Sequence, residues 1–164
     1  MSQMVRKNYP ELGEVKAPYV HSVKHGNTLY ISGLTAFGTR AQQAGIGAQA
    51  EEVFTQIRTV ARAEGIDFSS LIKVTIFITS FDEIDELRKV LYRNYGDHLP
   101  ASSLVEVSRL FSADLKIEKL RQYSACEPEF IARAAVCAAG QTQSIYLKHS
   151  VKQTIFILTG LCVE

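Results

Sequence analysis

The stretch from Leu71 to Thr79 (LIKVTIFIT) narrows the folds open to this chain more than any other segment. It is rich in β-branched residues. In an extended chain Ile72, Val74, Ile76 and Ile78 fall on one side, with Lys73, Thr75, Phe77 and Thr79 on the other. That is a strand with one buried face. Just upstream, between Ala48 and Glu64, the apolar residues Val53, Phe54, Ile57, Val60 and Ala61 repeat at the spacing of one helix face. Gly65 stands where a helix end calls for a left-handed residue. An amphipathic helix running into a half-buried strand needs a layered domain in which helix covers sheet.

The flanking segments extend this plan. Tyr19–Lys24 and Thr28–Gly33 read as two strands of a hairpin around His25-Gly26-Asn27, and Leu34–Gly47 as a loop. Ser80-Phe81-Asp82-Glu83 has the S-x-x-E form of a capping box. It predicts a second helix with Ile84, Leu87, Leu91 and Tyr95 on its buried face, ending at Gly96. Ser103–Ser108 and Asp114–Lys119 read as two more strands. The order β-β-α-β-α-β-β predicts an α+β domain with two helices on one face of a mixed sheet. Ile117-Glu118-Lys119-Leu120 interrupts the alternation a longer final strand would need, so the chain is expected to leave the sheet there. Residues 1–118 are then read as the domain and 119–164 as a C-terminal extension. In the extension, Ser124–Gly140 reads as a helix, and Ser144–His149 and Lys152–Val163 as strands, packed on the domain or on a neighbouring subunit.

Composition closes off several function classes. The 164 residues carry 18 Lys and Arg against 17 Asp and Glu. A net charge of +1 provides no general field for nucleic acid, and no basic stripe with interleaved aromatics stands out. No apolar run approaches the roughly 20 residues of a membrane-spanning helix. The opening residues lack the apolar core of a signal peptide, so a cytoplasmic protein is expected. Cys126, Cys137 and Cys162 form neither a disulfide framework nor a zinc-type spacing. The four histidines (His21, His25, His98 and His149) are scattered, and no metal site is expected.

Three segments resemble one known family. The hairpin from Pro18 to Gly33 (PYVHSVKHGNTLYISG), the run from Ala48 to Thr79, and the segment from Gly96 to Leu110 (GDHLPASSLVEVSRL) are similar, in that order, to the motifs of the RidA/YjgF family, whose members are often labelled endoribonuclease L-PSP. The resemblance spans about Lys16 to Glu118. It implies a chorismate-mutase-like fold, a homotrimer with clefts between subunits, no cofactor, and hydrolysis of reactive enamines and imines to 2-keto acids and ammonia. Carried over residue by residue, the glutamate that orders the attacking water falls on Glu118, the pocket tyrosine on Tyr19, and the Ser-Gly turn on Ser32 and Gly33. The arginine that clamps the substrate carboxylate is missing, because Pro100-Ala101 is followed by Ser102. Leu104 replaces a small or thiol residue, and Arg88 replaces a helix asparagine that faces the cleft.

These departures fall on the substrate end of the implied site and leave the water end standing. A guanidinium holds a carboxylate by two charge-assisted hydrogen bonds, whereas a serine supplies one neutral bond. Each residue also has an ordinary reading: a strand charge for Glu118, a packing tyrosine for Tyr19, and solvated surface arginines for Arg88 and Arg109. Three functions follow from the resemblance. One is an enamine/imine deaminase with Glu118 as general acid/base. Another is a non-catalytic trimer that binds a small carboxylate or other metabolite. The third, an endoribonuclease, receives least support, since no pair of histidines is suited to cleaving RNA.

Overall fold

The structure, a computed structural model, describes residues 3–124. Its strands are β1 (Met4–Lys7), β2 (Ser22–His25), β3 (Thr28–Leu34), β4 (Leu71–Ile78), β5 (Ala101–Glu106) and β6 (Ile117–Ser124). Its helices are α1 (Ile46–Ala63) and α2 (Ile84–Tyr95). The strands form one mixed sheet in the order β1-β2-β3-β6-β4-β5, with β4 and β5 parallel and the other pairs antiparallel. The parallel pair is the one joined by a crossover, and α2 is that crossover. The fold is α+β, as the element order predicts.

The core lies between helices and sheet. Val74, Ile76 and Ile78 of β4 pack with Val53, Phe54, Ile57 and Val60 of α1 and with Leu87, Val90 and Tyr95 of α2. Each such side chain contributes roughly 1.5–3 kcal/mol on burial. The β2–β3 hairpin closes through Gly26 and Asn27, where Gly26 has a φ of 57°. Gly65, at 66°, follows α1 as expected. No helix among the described residues is long and apolar enough to cross a membrane.

Four local features depart from the sequence reading. The β4–β6 register shifts between Leu71 and Lys73, so Leu71 takes the core position and Ile72 turns outward, 45% exposed. The capping box does not form. Ser80 Oγ instead accepts the N–H of Asp82 in a local turn. Glu83 reaches across to accept the Ile46 N–H (3.0 Å) and the Lys116 ammonium (2.7 Å), so it caps α1 rather than its own helix. The hydrogen bond from Lys116 is the main reason its carboxyl is held below the usual range.

The third departure is the largest. The chain does not leave the sheet at Lys119. β6 continues to Ser124 between β3 and β4, and takes residues 119–124 into the sheet. Alternation survives because Lys119, 1% exposed, occupies a core position with its Nζ 3.8 Å from the centre of the Phe54 ring. The fourth is β1, which pairs with β2 and was not anticipated. Tyr9, just beyond it, is buried and bonds Ser22 Oγ and Glu64. Burial is the main reason its hydroxyl pKa is pushed up to about 12. The helix and strands expected over 125–164, and the three cysteines, lie outside the described residues.

Candidate active site

The site begins with a bulge. β3 pairs with β6 through Ile31 and Arg121, then through Leu34 and Lys119, so β3 carries one extra residue between them. Ser32 and Gly33 fill that irregularity. Ser32 Oγ donates to the Val20 carbonyl at 2.6 Å, and its N–H bonds the His21 carbonyl at 3.0 Å, which ties the bulge to the preceding chain. Glu118 lies between two core residues of β6, Ile117 and Lys119, and therefore faces the side of the sheet away from the helices. Its carboxylate packs onto Gly33. A Cβ at position 33 would collide with Glu118 Oε1, so only glycine leaves the carboxylate in this seat.

Tyr19, Ser32, Gly33, Phe111 and Glu118 line a cavity of about 350 Å³. A second hollow, of about 470 Å³, shares Tyr19, Gly33 and Phe111 and continues toward His21, Phe37 and Glu52. Burial raises the Glu118 pKa above its ordinary value. Phe77, its partner across the β4–β6 ladder, adds apolar surface beside it. A carboxyl with a raised pKa, next to an open cavity, is suited to accept a proton from water and return it. His21 is buried, which lowers its pKa, and its Nδ1 accepts the Tyr9 N–H at 3.0 Å. That hydrogen bond requires Nδ1 to be unprotonated, so the neutral ring carries its hydrogen on Nε2.

The other predicted site residues lie elsewhere. Arg88 and Ser102 line a separate groove of about 240 Å³ with Leu91, Tyr92, Leu99 and Pro100. Arg88 pairs with Asp85 at 3.1 Å on an exposed helix face. Leu104 packs against the core. Within one chain, then, the water-ordering candidates stand together, and the residues replacing the carboxylate clamp stand apart from them.

Three contributors escaped the sequence reading. Phe37 and Phe111 meet edge to face, 5.1 Å between ring centres and 63° between planes, although 55% and 68% exposed. Their only sequence signal is a large aromatic residue in an otherwise small or polar loop. Gln49 is fully buried in α1. Its Nε2 donates to the carbonyls of Gln42 (2.7 Å) and Asp114 (2.7 Å), and its Oε1 accepts the Lys116 N–H at 2.8 Å. It thereby pins the segment between Phe111 and Glu118 to the start of α1.

A mixed six-stranded sheet with two helices on one face and a half-buried glutamate on the other defines the class of domain. The family described as Endoribonuclease L-PSP matches residues 11–119. A curated relative, the 2-iminobutanoate/2-iminopropanoate deaminase of Dermatophagoides farinae, is 32% identical over 107 residues, covering 63% of this chain and 84% of the relative. The Escherichia coli K12 protein of the same name is 28% identical over 106 residues, covering 62% and 82%. Among solved structures, RidA from a Psychrobacter species aligns with a TM-score of 0.62 at 28% identity, over 68% of this chain and 91% of that one. The yeast protein YEO7 aligns at 0.70 and 22% identity, over 76% and 100%, a likeness of fold. The chain belongs to the RidA/YjgF family.

Proposed function

We propose that this protein hydrolyses reactive enamines or imines in the cleft bounded by Glu118, with Glu118 acting as general acid/base. The observation that carries this reading is the Glu118 carboxyl itself, desolvated, seated on Gly33 and open to a cavity. Water adds to the C=N carbon as Glu118 takes its proton. The proton then passes to nitrogen, and the C–N bond breaks to release ammonia. Tyr19 and Ser32 border the space where the reacting atoms would sit. The names of the mite and Escherichia coli relatives support the same chemistry.

We further propose a homotrimer in the cytoplasm. Ile72 and Val105 are 45% and 41% exposed on a sheet that carries both helices on its other side, and copies of the chain packing on that face would cover them. A second reading, a trimeric metabolite-binding or regulatory protein, draws on the position of Ser102, which lies outside the Glu118 cleft and carries no charge. One assay separates the two. Imines generated in situ by an amino-acid oxidase or an amine oxidase are followed by ammonia release, with the wild type compared against Glu118→Gln. Acceleration by the wild type alone supports the hydrolase. Ligand binding without acceleration supports the binder.

A further inference from the structure

We propose that Gln49, together with Gln42, positions the Glu118 carboxylate and the aromatic pair beside it for the hydrolysis; this rests on the hydrolase reading above. Helical spacing from Ile46 puts Gln49 on the buried face of α1 with Ala50 and Val53, where an apolar residue would ordinarily pack. An amide in that place is costly unless its polar atoms are hydrogen-bonded. It is bonded four times, each time to backbone. Nε2 donates to the carbonyls of Gln42 (2.7 Å), Ala44 (3.2 Å) and Asp114 (2.7 Å), and Oε1 accepts the Lys116 N–H at 2.8 Å. The arrangement needs donors and an acceptor on one side-chain end, which an amide supplies. A glutamate of the same length would turn an oxygen toward three carbonyls.

These bonds hold two things at once. Lys116 is fixed by both its backbone groups, because its N–H goes to Gln49 and its carbonyl accepts the Thr79 N–H at 3.1 Å. Glu118 follows two residues later, on β6. On the other side, the Gln42 side chain accepts the Gly38 N–H (2.7 Å) through Oε1 and donates through Nε2 to the Asp114 carboxylate (3.3 Å). The loop carrying Phe37 is thereby joined to the loop carrying Phe111, and the two rings meet at 5.1 Å. Phe111 lines the hollow into which Glu118 opens, so slack in either loop would admit water to the carboxyl. Burial is what raises the Glu118 pKa, and hydration would lower it again. All of these bonds lie within one chain. Gln49 sits on the helix side of the sheet, so copies packing on the opposite face leave its four bonds in place.

The test compares the full chain with two variants. Gln49→Met keeps nearly the same volume and removes all four polar contacts; Gln42→Ala removes only the side-chain link between the loops. Ammonia release from imines generated in situ gives kcat, KM and the pH–rate profile. Gln49→Met is expected to lower kcat about tenfold, the scale of a small misplacement of a reacting group, with KM changed less than about threefold. Its acid limb should move down toward the ordinary 4.5. A folded variant with wild-type kcat and an unmoved acid limb overturns the proposal, as does a loss confined to KM. Gln42→Ala should move the acid limb the same way by less, at an unchanged melting temperature. It decides alone where Gln49→Met does not fold, and an unmoved limb then overturns the proposal. NMR titration of the Glu118 carboxyl carbon, assigned by its absence from Glu118→Gln, needs no turnover. If Glu118→Gln matches the wild type in the assay, the hydrolase reading falls. The titration still decides whether Gln49 and Gln42 set the surroundings of that carboxyl: a lower pKa in the variants supports it, and equal values overturn it.

Discussion

The Glu118 cleft and the Arg88–Ser102 groove were built by different kinds of constraint. The cleft is assembled from the sheet's own irregularity. A bulge in β3 opens a space, a glycine admits a carboxylate into it, and the rigid central strand β6 carries that carboxylate. The groove lies between α2 and the start of β5, and its one cation is spread across an exposed helix surface beside Asp85. A group held by sheet geometry keeps its position and its perturbed pKa. A group held by a surface ion pair is screened and contributes little. Chemistry is therefore expected from the first region, and specificity only where the second is altered.

The largest expected effect is on Glu118→Gln, which should lower imine turnover at least about a hundredfold, the scale of a lost general acid/base. Folding should not suffer. Because folding raises the Glu118 pKa, its favourable contribution is present below the unfolded pKa and is lost as pH rises through the folded one. At pH 8 the Gln variant should melt at or above the wild type. In the wild type, activity should fall as pH drops through a pKa above the ordinary value of 4.5. An unperturbed value in the pH–rate profile would count against the desolvated site.

Gly33→Ala comes next. The new methyl group would collide with the end of the Glu118 side chain, which can swing away, so activity should fall about tenfold while the melting temperature barely moves. A large drop in stability would show that the backbone, and not the carboxylate, had to shift. Ser102→Arg tests whether the two regions meet in an assembly. If copies bring the groove of one subunit to the Glu118 cleft of another, turnover of 2-imino acids should rise several-fold. No change would leave the regions separate. The smallest effect is expected from Arg88→Ala. Its exposed pair with Asp85 is worth at most about 0.5 kcal/mol, measured by denaturant unfolding.

Period and punctuation made much of the fold legible. The α1 face, the β2–β3 turn and the β4 alternation from Val74 onward all follow from local physics that tertiary contacts did not override. The failures have physical causes. Lys119 is a lysine at a core position, satisfied by an aromatic ring, so the alternation of β6 was concealed. Glu83 has the spacing of a local cap but found a better partner in Lys116, distant in sequence. Ile72 turned over because a register shift moved Leu71 into its place. Of the candidate site, Glu118, Tyr19, Ser32 and Gly33, which the structure brings to one hollow, were named through resemblance alone. Phe37 and Phe111 meet only in three dimensions, and no spacing announces them.

The position of β6 also governs the order in which the molecule can be built. It pairs on one side with β3 and on the other with β4, yet it is the last described strand to leave the ribosome. Until residues 117–124 emerge, the sheet exists as two fragments, β1-β2-β3 and β4-β5, each with an open edge where β6 belongs. Closing such non-local pairings is slow and exposes the fragments to association with other chains. The Glu118 carboxylate rides on the closing strand, so a nascent chain acquires this cleft only in the step that completes its sheet.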